Sequence, residues 1–362
     1  MHVHFVNENV GGHATMHFNV RRALAGHADV QATFWDVPRD VFAARLVGAS
    51  WPGLGQLDLD FHLVRARLAQ SELVRRHLAR VESPDVLHLY TQNTGWLSTA
   101  TMRRIPTVVS IDATNRQNAY RLPQRHPTRF TPLTVAVGHP WERRVFEASR
   151  AIVAHSRWAA DAVIRYGISP ERVHVVPFGI DVDVQVARIP HDGLPRIVFV
   201  GTSMDRKGGW RLLDIWRRSL SDVSRLVLVT PETVPATEGV EAHADVRPGD
   251  GKLARILAEA DVFVMPSEID AFGYAILEAM AASLPVVAPG QAAVPELVDN
   301  GVTGLVVPPG DDDALAVALR RLVSDGSERE EMGASGRQRA LERFDARITT
   351  EALVEILRAA AA

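Results

Sequence analysis

The sequence predicts an α/β protein with two doubly wound, Rossmann-like domains. Two series of short, continuously apolar runs support this prediction, such as "DVLHLY" and "TVVSI" in the first half and "RIVFVG" and "DVFVMP" in the second. Each run is followed by a turn and a stretch of helical periodicity. Apolar strands that alternate with helices are typical of parallel sheets covered on both faces. A chain of 362 residues also exceeds one ordinary core, so two domains are expected.

A polar, irregular stretch between the two series sets the predicted domain boundaries. The first domain is expected over 1–177 and the second over 196–344, with "FGIDVDVQVARIPHDGLP" (178–195) as the linker. The last segment, 345–362, has apolar residues at helical spacing and predicts a helix. This helix either closes the second domain or crosses back to the first.

Composition excludes several classes of protein. The chain has no cysteine, so disulfides, thiolate metal sites and cysteine nucleophiles are ruled out. The first residues lack the basic and apolar regions of a signal peptide. The most apolar segment, 271–289, is interrupted by Glu278 and Pro285 and is not expected to span a membrane. With 46% hydrophobic and 23% charged residues, a cytoplasmic globular protein is predicted.

Charge is distributed unequally between the two halves. Residues 1–177 contain 21 arginines, no lysine and 14 acidic residues, a balance of +7; residues 178–362 contain 19 basic and 29 acidic residues, a balance of −10. This asymmetry suggests two domains that bind different ligands. It is equally compatible with variation on solvated surfaces.

Two glycine-containing stretches follow predicted strands. In "NVGGHATMHF", Gly11 and Gly12 permit close approach of a ligand to the backbone at the start of a helix, although a plain tight turn would look the same. In "VFVGTSMDRKGG", a strand ends at Gly201, and Arg206 and Lys207 precede two glycines and a helix. Cations at a helix N-terminus are unfavourable unless an anion offsets them, so this arrangement suits a diphosphate. The alternative is a solvated turn.

The stretch "PSEIDAFGYAILEAMAASLPVV" (266–287) carries two carboxylates. Asp270 is predicted to cap a helix that begins at Phe272 and Gly273, and Glu278 is the one charge between Ala271 and Ala282. A buried carboxylate is unfavourable without a partner, and a carboxylate accepts well from two vicinal hydroxyls. On a continuous helix the two acids would lie ~12 Å apart along the axis. The alternative is a simple cap at Asp270 and an arginine partner for Glu278.

Together with "AIVAHSRWAADAVIRYGISPERVHVVPFGID" and "AAVPELV", these stretches resemble the retaining family-4 glycosyltransferases of GT-B fold over most of the chain. The resemblance implies two facing domains, the first for the acceptor and the second for a nucleotide-sugar donor, and no metal. It implies that Glu278 holds the donor ribose and that Arg206 and Lys207 hold the diphosphate. Asp270 and the amides near Phe272, Gly273 and Tyr274 would contact the sugar, and Gly11 and Gly12 would approach from the first domain. The C-terminal helix would cross back to the first domain.

Four positions depart from the family's usual pattern. Asp270 stands where glutamate is usual, and Thr202, after Gly201, stands where many members have arginine, which leaves Arg206 as the substitute. Asp112, at the end of "TVVSI", stands where many members have a histidine near the sugar, and Phe178 replaces a common asparagine. These changes are expected to alter donor or acceptor contacts rather than the fold.

The predicted function is transfer of a sugar from a nucleoside-diphosphate-sugar, expected to be a UDP- or GDP-sugar, to an acceptor with retention of configuration. The acceptor is open: a small molecule, a glycolipid or a polysaccharide. No other cofactor, metal or nucleic acid is expected. The basic helix predicted over 63–81 could contact an anionic membrane, or it presents an ordinary solvated face. The alternatives are a nucleotide-sugar epimerase or hydrolase on the same fold, and a non-catalytic nucleotide-sugar-binding protein.

Overall fold

The structure is a computed structural model. It describes residues 1–8, 12–38, 41, 46–51, 53–54, 57, 59–120, 128–184, 189, 191–247, 251–267 and 270–362, and for residues 12–14, 120 and 184 it describes only the backbone. Within these ranges the strands form two parallel six-stranded sheets, which confirms the predicted fold class.

The first sheet is formed by strands from the first half of the chain, in the order β2-β1-β3-β4-β5-β6. Its strands are β1 (His2–Asn7), β2 (Gln31–Asp36), β3 (Val86–Leu89), β4 (Thr107–Ile111), β5 (Ala151–Ala154) and β6 (Val173–Val175). Every residue of β3, β4 and β5 is buried, as continuous apolar runs predict for central strands of a parallel sheet.

The second sheet has the order β12-β11-β10-β7-β8-β9. Its strands are β7 (Arg196–Val200), β8 (Arg225–Val229), β9 (Val240–His243), β10 (Val262–Val264), β11 (Val286–Pro289) and β12 (Gly304–Val307). The chain runs outward from β7 to β9, returns to β10 beside β7, and then runs outward the other way. Ligands of open α/β sheets bind where the strand order reverses, so the carboxyl ends of β7 and β10 mark a binding position.

Helices connect these strands. Those described are α1 (Gly12–Leu24), α2 (His62–Leu78), α3 (Thr99–Arg104), α4 (Asn115–Tyr120), α5 (Thr131–Ala148), α6 (Arg157–Ile164), α7 (Gly209–Ser219), α8 (Lys252–Ala258), α9 (Tyr274–Ala281), α10 (Val294–Leu297), α11 (Asp312–Ser324), α12 (Gly326–Arg343) and α13 (Ala346–Ala361). Short 3₁₀ helices occur at Gln92–Gly95, Pro170–Arg172 and Val182–Val184. In the described part of the chain, none of the helices is both long and apolar enough to cross a membrane.

The chain forms two compact units. Unit 1 consists of Met1–Gly179 and Arg347–Ala362, and unit 2 of Ile180–Ala346. The stretch predicted as a linker, 178–195, is therefore divided between them: Phe178 stacks on His155 in unit 1 with ring centroids 3.9 Å apart, and Ile180 pairs with Asp345 in unit 2. Helix α13 belongs almost entirely to unit 1, where its Arg358 binds Asp29 at 2.8 Å.

Each unit has its own core. In unit 2 the apolar faces of α7 and α11 cover β7 and β8, and the indole of Trp216 is fully buried with its N–H donating to Ser224 Oγ at 3.0 Å. In unit 1 the core centres on Leu87, Leu89 and Trp96 beneath α2 and α5. Burial of these side chains, at ~25 cal/mol per Å² of apolar surface, is the main stabilising contribution to each sheet.

Candidate active site

The two motifs singled out in the second half of the sequence follow β7 and β10, which are neighbours in the sheet. The loop 201–208 leads from β7 into α7, and the segment 265–273 leads from β10 into α9. The carboxyl ends of adjacent parallel strands lie at one edge of a sheet, so the two loops come together at the point where the strand order reverses.

Lys207 and Asp270 join the two loops directly. The Lys207 ammonium forms an ion pair with Asp270 Oδ2, and the two side chains are 15% and 23% exposed. The backbones also approach closely: a β-carbon on Gly208 would lie 3.1 Å from the carbonyl oxygen of Pro266. Gly201 lies beneath this contact, where a β-carbon would be 3.0 Å from that of Lys207 and 2.6 Å from the Phe199 ring. Glycine at 208 therefore lets the two loops meet, and glycine at 201 lets the first loop fold over the Phe199 ring.

Arg206 lies on the exposed side of the same loop. Its guanidinium donates to the hydroxyl of Thr202 at 3.2 Å, and its backbone N–H donates to Ser203 Oγ at 3.3 Å. Thr202 stands where many family members have an arginine, and Arg206 is the predicted substitute for that arginine. The Thr202 hydroxyl therefore holds the substitute guanidinium in place. The exposed guanidinium of Arg206 and the half-buried ammonium of Lys207 are adjacent in sequence. Together they are suited to bind a diphosphate.

The predicted cap at Asp270 is wrong. Helix α9 begins at Tyr274, and its N-cap is Gly273, which has φ 89° and makes no side-chain cap hydrogen bond. The left-handed conformation of Gly273 ends the preceding loop, so Asp270 lies outside the helix and its carboxylate binds Lys207 instead. The ~12 Å axial separation predicted for Asp270 and Glu278 assumed one continuous helix, so it does not apply.

The amides at the start of α7 have partners within the protein. Gly209 and Trp210 both donate their backbone N–H to the carbonyl oxygen of Met204, at 2.6 and 3.3 Å. The positive charge of this loop is therefore that of the Arg206 and Lys207 side chains. At α9, the N-cap Gly273 provides no side chain to cap the helix, and Phe272 is buried directly before it.

Glu278 lies in the second turn of α9 and is partly accessible. Burial raises the pKa of its carboxyl group from the ordinary value to about 7. Among the described residues, no hydrogen bond or ion pair to this carboxylate is present, so the predicted alternative of an arginine partner is not observed there. An unpartnered carboxylate at this depth is unfavourable by itself, which makes it a candidate ligand-binding group.

The remaining predicted residues belong to unit 1. Gly11 lies outside the described residues, and Gly12 is the first residue of α1, described only by its backbone. Asp112 directly follows β4 and is half-buried. The arginines of α2 serve the protein itself in several cases: Arg65 donates to the carbonyls of Val47 and Ala49, and Arg75 and Arg76 both bind Glu72.

Two supporting groups were not predicted from the sequence. Glu232, which follows β8, accepts from the backbone N–H of Met204 at 3.1 Å and so braces the loop 201–208. Gln291, which follows β11, donates to the carbonyl of Ser267 at 3.1 Å and so braces the segment 265–273. Glu232 and Gln291 both follow strands adjacent to β7 or β10. A polar side chain just after such a strand is the sequence signal that could have indicated their contact with these loops.

Comparison with known proteins agrees with this geometry. Residues 10–184 match the family model described as Glycosyltransferase Family 4, and residues 194–325 match the model described as Glycosyl transferases group 1. A D-inositol 3-phosphate glycosyltransferase from Xylanimonas cellulosilytica is 30% identical over 285 residues, which cover 70% of this chain and 67% of the relative. The chain belongs to glycosyltransferase family 4.

Other family-4 glycosyltransferases extend the likeness. An alpha-maltose-1-phosphate synthase from Mycolicibacterium smegmatis is 34% identical over 60% of this chain and 65% of its own length. A mannosyltransferase from Mycolicibacterium hassiacum, named MMP alpha-(1->4)-mannosyltransferase, is 32% identical over 53% of this chain and 50% of its own length. The chain thus spans between half and two thirds of these curated relatives.

Solved structures show the same fold. Sucrose-phosphate synthase from Thermosynechococcus elongatus superimposes with a TM-score of 0.77 at 17% identity, covering 99% of this chain and 98% of that one. HepE from Anabaena, solved in complex with UDP and glucose, superimposes with a TM-score of 0.73 at 18% identity, covering 99% and 100%. This family-4 glycosyltransferase therefore has the GT-B fold.

Proposed function

We propose that the protein transfers a sugar from a nucleoside-diphosphate-sugar to a hydroxyl of an acceptor, with retention of configuration and without a metal. The observation that carries this proposal is the Glu278 carboxylate on α9, which has no partner among the described residues. It lies one helical turn beyond the segment that holds Asp270, the ion-pair partner of Lys207. A carboxylate suited to two vicinal hydroxyls and a cation pair suited to a diphosphate match the two ends of a nucleoside diphosphate.

In the proposed reaction, the bond between the sugar and the diphosphate breaks, and negative charge develops on the leaving phosphate oxygen. Lys207 and Arg206 stabilise that charge, because fixed cations in a partly desolvated site favour the more charged transition state. The leaving oxygen removes the proton of the acceptor hydroxyl. Asp270 keeps Lys207 at the strand end in the absence of donor.

The relatives support a choice of substrates for the first assays. Their names identify a sugar 1-phosphate product and an inositol phosphate substrate, and HepE has been solved with UDP-glucose. We therefore propose a UDP-sugar as the first donor to try and a phosphorylated sugar or polyol as the first acceptor. Membrane contact through α2 is not included, because several arginines of that helix bind groups of the protein itself. The cytoplasmic setting stays a prediction.

The chain's two lysines provide the decisive test of the donor site. Titration of UDP, GDP, ADP and dTDP by calorimetry is expected to identify one preferred nucleotide. Lys207→Met should then weaken its binding at least about tenfold, because hydrogen bonds to charged groups are worth ~1.5–3 kcal/mol. Lys252→Met is the control, since Lys252 pairs with Asp245 beyond the edge strand β9 and should bind nucleotide as the wild type does.

The outcome also separates the proposed transferase from its two rivals. Release of free sugar from the donor at the same rate with and without acceptor would identify a hydrolase, and donor isomerisation would identify an epimerase. Nucleotide binding without turnover over the acceptor panel would identify a binding protein. If neither lysine variant alters nucleotide affinity, the assignment of the diphosphate site is wrong.

Replacement of Asp270 is expected to separate nucleotide binding from turnover. Asp270→Asn removes the negative charge that competes with a diphosphate for Lys207, so UDP affinity should be retained or rise by a few-fold. The transfer rate at saturating donor should fall at least about tenfold, since Lys207 is no longer oriented. Asp270→Glu, which keeps the charge, is the matched variant and should retain more activity. A loss of UDP affinity as large as that of Lys207→Met would contradict this account.

A further inference from the structure

A buried carboxylate in unit 1, outside the proposed donor site, connects two loops at the carboxyl edge of the first sheet. Glu142 on α5 is fully buried. Its Oε1 accepts from the backbone N–H of Asn115 at 2.8 Å and from Gln92 Nε2 at 2.9 Å, and its Oε2 accepts from the hydroxyl of Tyr166. Three donors thus converge on one carboxylate, and burial is favourable only because of them.

The donors come from the ends of neighbouring strands. Gln92 lies in the loop after β3, and Asn115 lies just beyond β4, which pairs with β3. Gln92 also donates to the carbonyl of Ala113 at 3.1 Å, so the second loop is held at two points, at Ala113 by Gln92 and at Asn115 by Glu142. Every residue of β3 and β4 is already buried and paired with a neighbouring strand. The sheet is therefore stable without this cross-link between the loops, and the cross-link has another role.

The outer side of the cross-linked loops carries polar groups. Asn93, next to Gln92, is half-buried and accepts at Oδ1 from Asn115 Nδ2 at 3.2 Å. Asp112 is half-buried at the end of β4. Arg116, which follows Asn115, is exposed and close enough to Tyr166 to lower the pKa that burial raises.

We propose that Glu142 is a positioning residue for acceptor binding, and this rests on the proposed transferase function. By fixing the two strand-end loops, it sets Asn93 and Asp112 to bind hydroxyls, while the exposed Arg116, which directly follows Asn115, binds a phosphate. The acceptor is then a phosphorylated polyol. This chemistry agrees with the charge of the first 177 residues, which have 21 arginines, no lysine and 14 acidic residues, because guanidinium groups bind phosphate in a bidentate manner.

The experiment measures binding of D-inositol 3-phosphate and glucose 1-phosphate by calorimetry, with and without UDP. Glu142→Gln keeps the size of the side chain and is expected to weaken binding of the preferred probe about tenfold, while UDP binding stays unchanged. Asn93→Ala should weaken probe binding to a similar extent without lowering the melting temperature, which guards against a variant that fails to fold.

A buried carboxylate with a purely structural task is the control. Asp60 is also fully buried in unit 1, and it accepts from Ser50 Oγ, Trp51 N and His62. Asp60→Asn should lower the melting temperature as Glu142→Gln does but leave probe binding unchanged. Equal loss of probe binding in both variants would reduce Glu142 to a structural role.

Failure of the acceptor proposal is distinguishable from failure of the donor proposal. If the wild type binds UDP but neither phosphate probe, the binding edge of unit 1 is wrongly assigned and the donor site stands. If the wild type binds a probe but no nucleotide, the transferase proposal fails. The effect of Glu142→Gln on probe binding then decides by itself whether Glu142 positions the site. Binding of unphosphorylated inositol as strongly as its phosphate would overturn the role of Arg116.

Discussion

Replacing Glu278 by glutamine is expected to weaken nucleotide-sugar binding about thirtyfold at pH 8 while raising the stability of the protein. Glutamine keeps one oxygen that accepts from a ribose hydroxyl but loses the charge that strengthens both hydrogen bonds, a loss of ~2 kcal/mol. Stability rises because the native carboxylate has no partner among the described residues and lies in an apolar environment, which glutamine tolerates better than an ionised group.

The pH dependence of both effects follows from the raised pKa of about 7. Between the ordinary value of 4.5 and 7, the native carboxyl keeps a proton that the unfolded chain releases. This contribution to stability is therefore present below pH 4.5 and is lost as pH rises through 7, by no more than about 3 kcal/mol. Nucleotide-sugar binding needs the ionised form, so its affinity should fall as pH drops below 7.

The measurement is a melting curve and a titration of UDP-glucose, or of the glucose ester of whichever nucleotide is preferred, at pH 6, 7 and 8. The sugar ester is the suitable ligand because its diphosphate has no ionisation near neutral pH. Glu355→Gln, at an exposed glutamate of α13, should change neither stability nor affinity. Glu278→Gln should lose the pH dependence of both. A variant that binds the donor as tightly as the wild type would show that Glu278 holds no ribose.

Replacing Gly333 by alanine is expected to destabilise unit 2 by at least about 2 kcal/mol. Gly333 lies on α12, where that helix packs on the turn that ends α9, and a β-carbon there would lie 2.1 Å from the carbonyl oxygen of Ser283. Ser283 is held at φ 61°, so its backbone has little freedom to move aside. Overpacking of this kind costs typically 1–3 kcal/mol and more where backbone blocks relaxation. Displacement of α9 should also weaken nucleotide binding, because α9 carries Glu278.

Gly336, one turn along the same helix, is the matched control. A β-carbon at Gly336 would meet Met280 at 3.7 Å and Leu284 at 3.8 Å, which is ordinary contact distance. Gly336→Ala should therefore be neutral or stabilise the helix by up to ~1 kcal/mol. Thermal unfolding of the two variants checks the pair, with a fall of about 5 °C or more expected for Gly333→Ala alone. Similar melting temperatures for both would show that the helices have room to separate.

The fold could be predicted from the sequence because its signal is distributed over many residues. Continuous apolar strands that alternate with helices leave few arrangements of the chain, and in these arrangements the two motifs follow strands, as they do at β7 and β10. The close packing at Gly201, against side chains, and at Gly208, against the backbone of Pro266, agrees with the glycines at the two ends of this loop in the sequence. Such close packing can be predicted from the sequence because only glycine has no β-carbon.

The parts of the site that could not be predicted depend on single conformations and distant partners. Asp270 has the residue type of a helix cap, but the left-handed Gly273 lies between it and the helix, and sequence alone does not fix that angle. Glu142 stands in "HPWERRVFEA", where acidic and basic residues alternate as on a solvated face. Its burial depends on donors 24 to 50 residues away, which no local pattern reveals.

The assignment of α13 to unit 1 has a consequence for synthesis of the protein. Unit 2 is one uninterrupted segment, Ile180–Ala346, whereas unit 1 is completed only by residues that follow it. On the ribosome, the first 179 residues emerge long before Leu353, Val354 and Leu357, the buried side chains of the last helix, have been made. The apolar surface of unit 1 that α13 covers then stays exposed to solvent while unit 2 is translated. During that time the nascent chain is open to aggregation and to binding by chaperones. Residues 347–362 thus complete a unit whose other part, residues 1–179, is translated before unit 2.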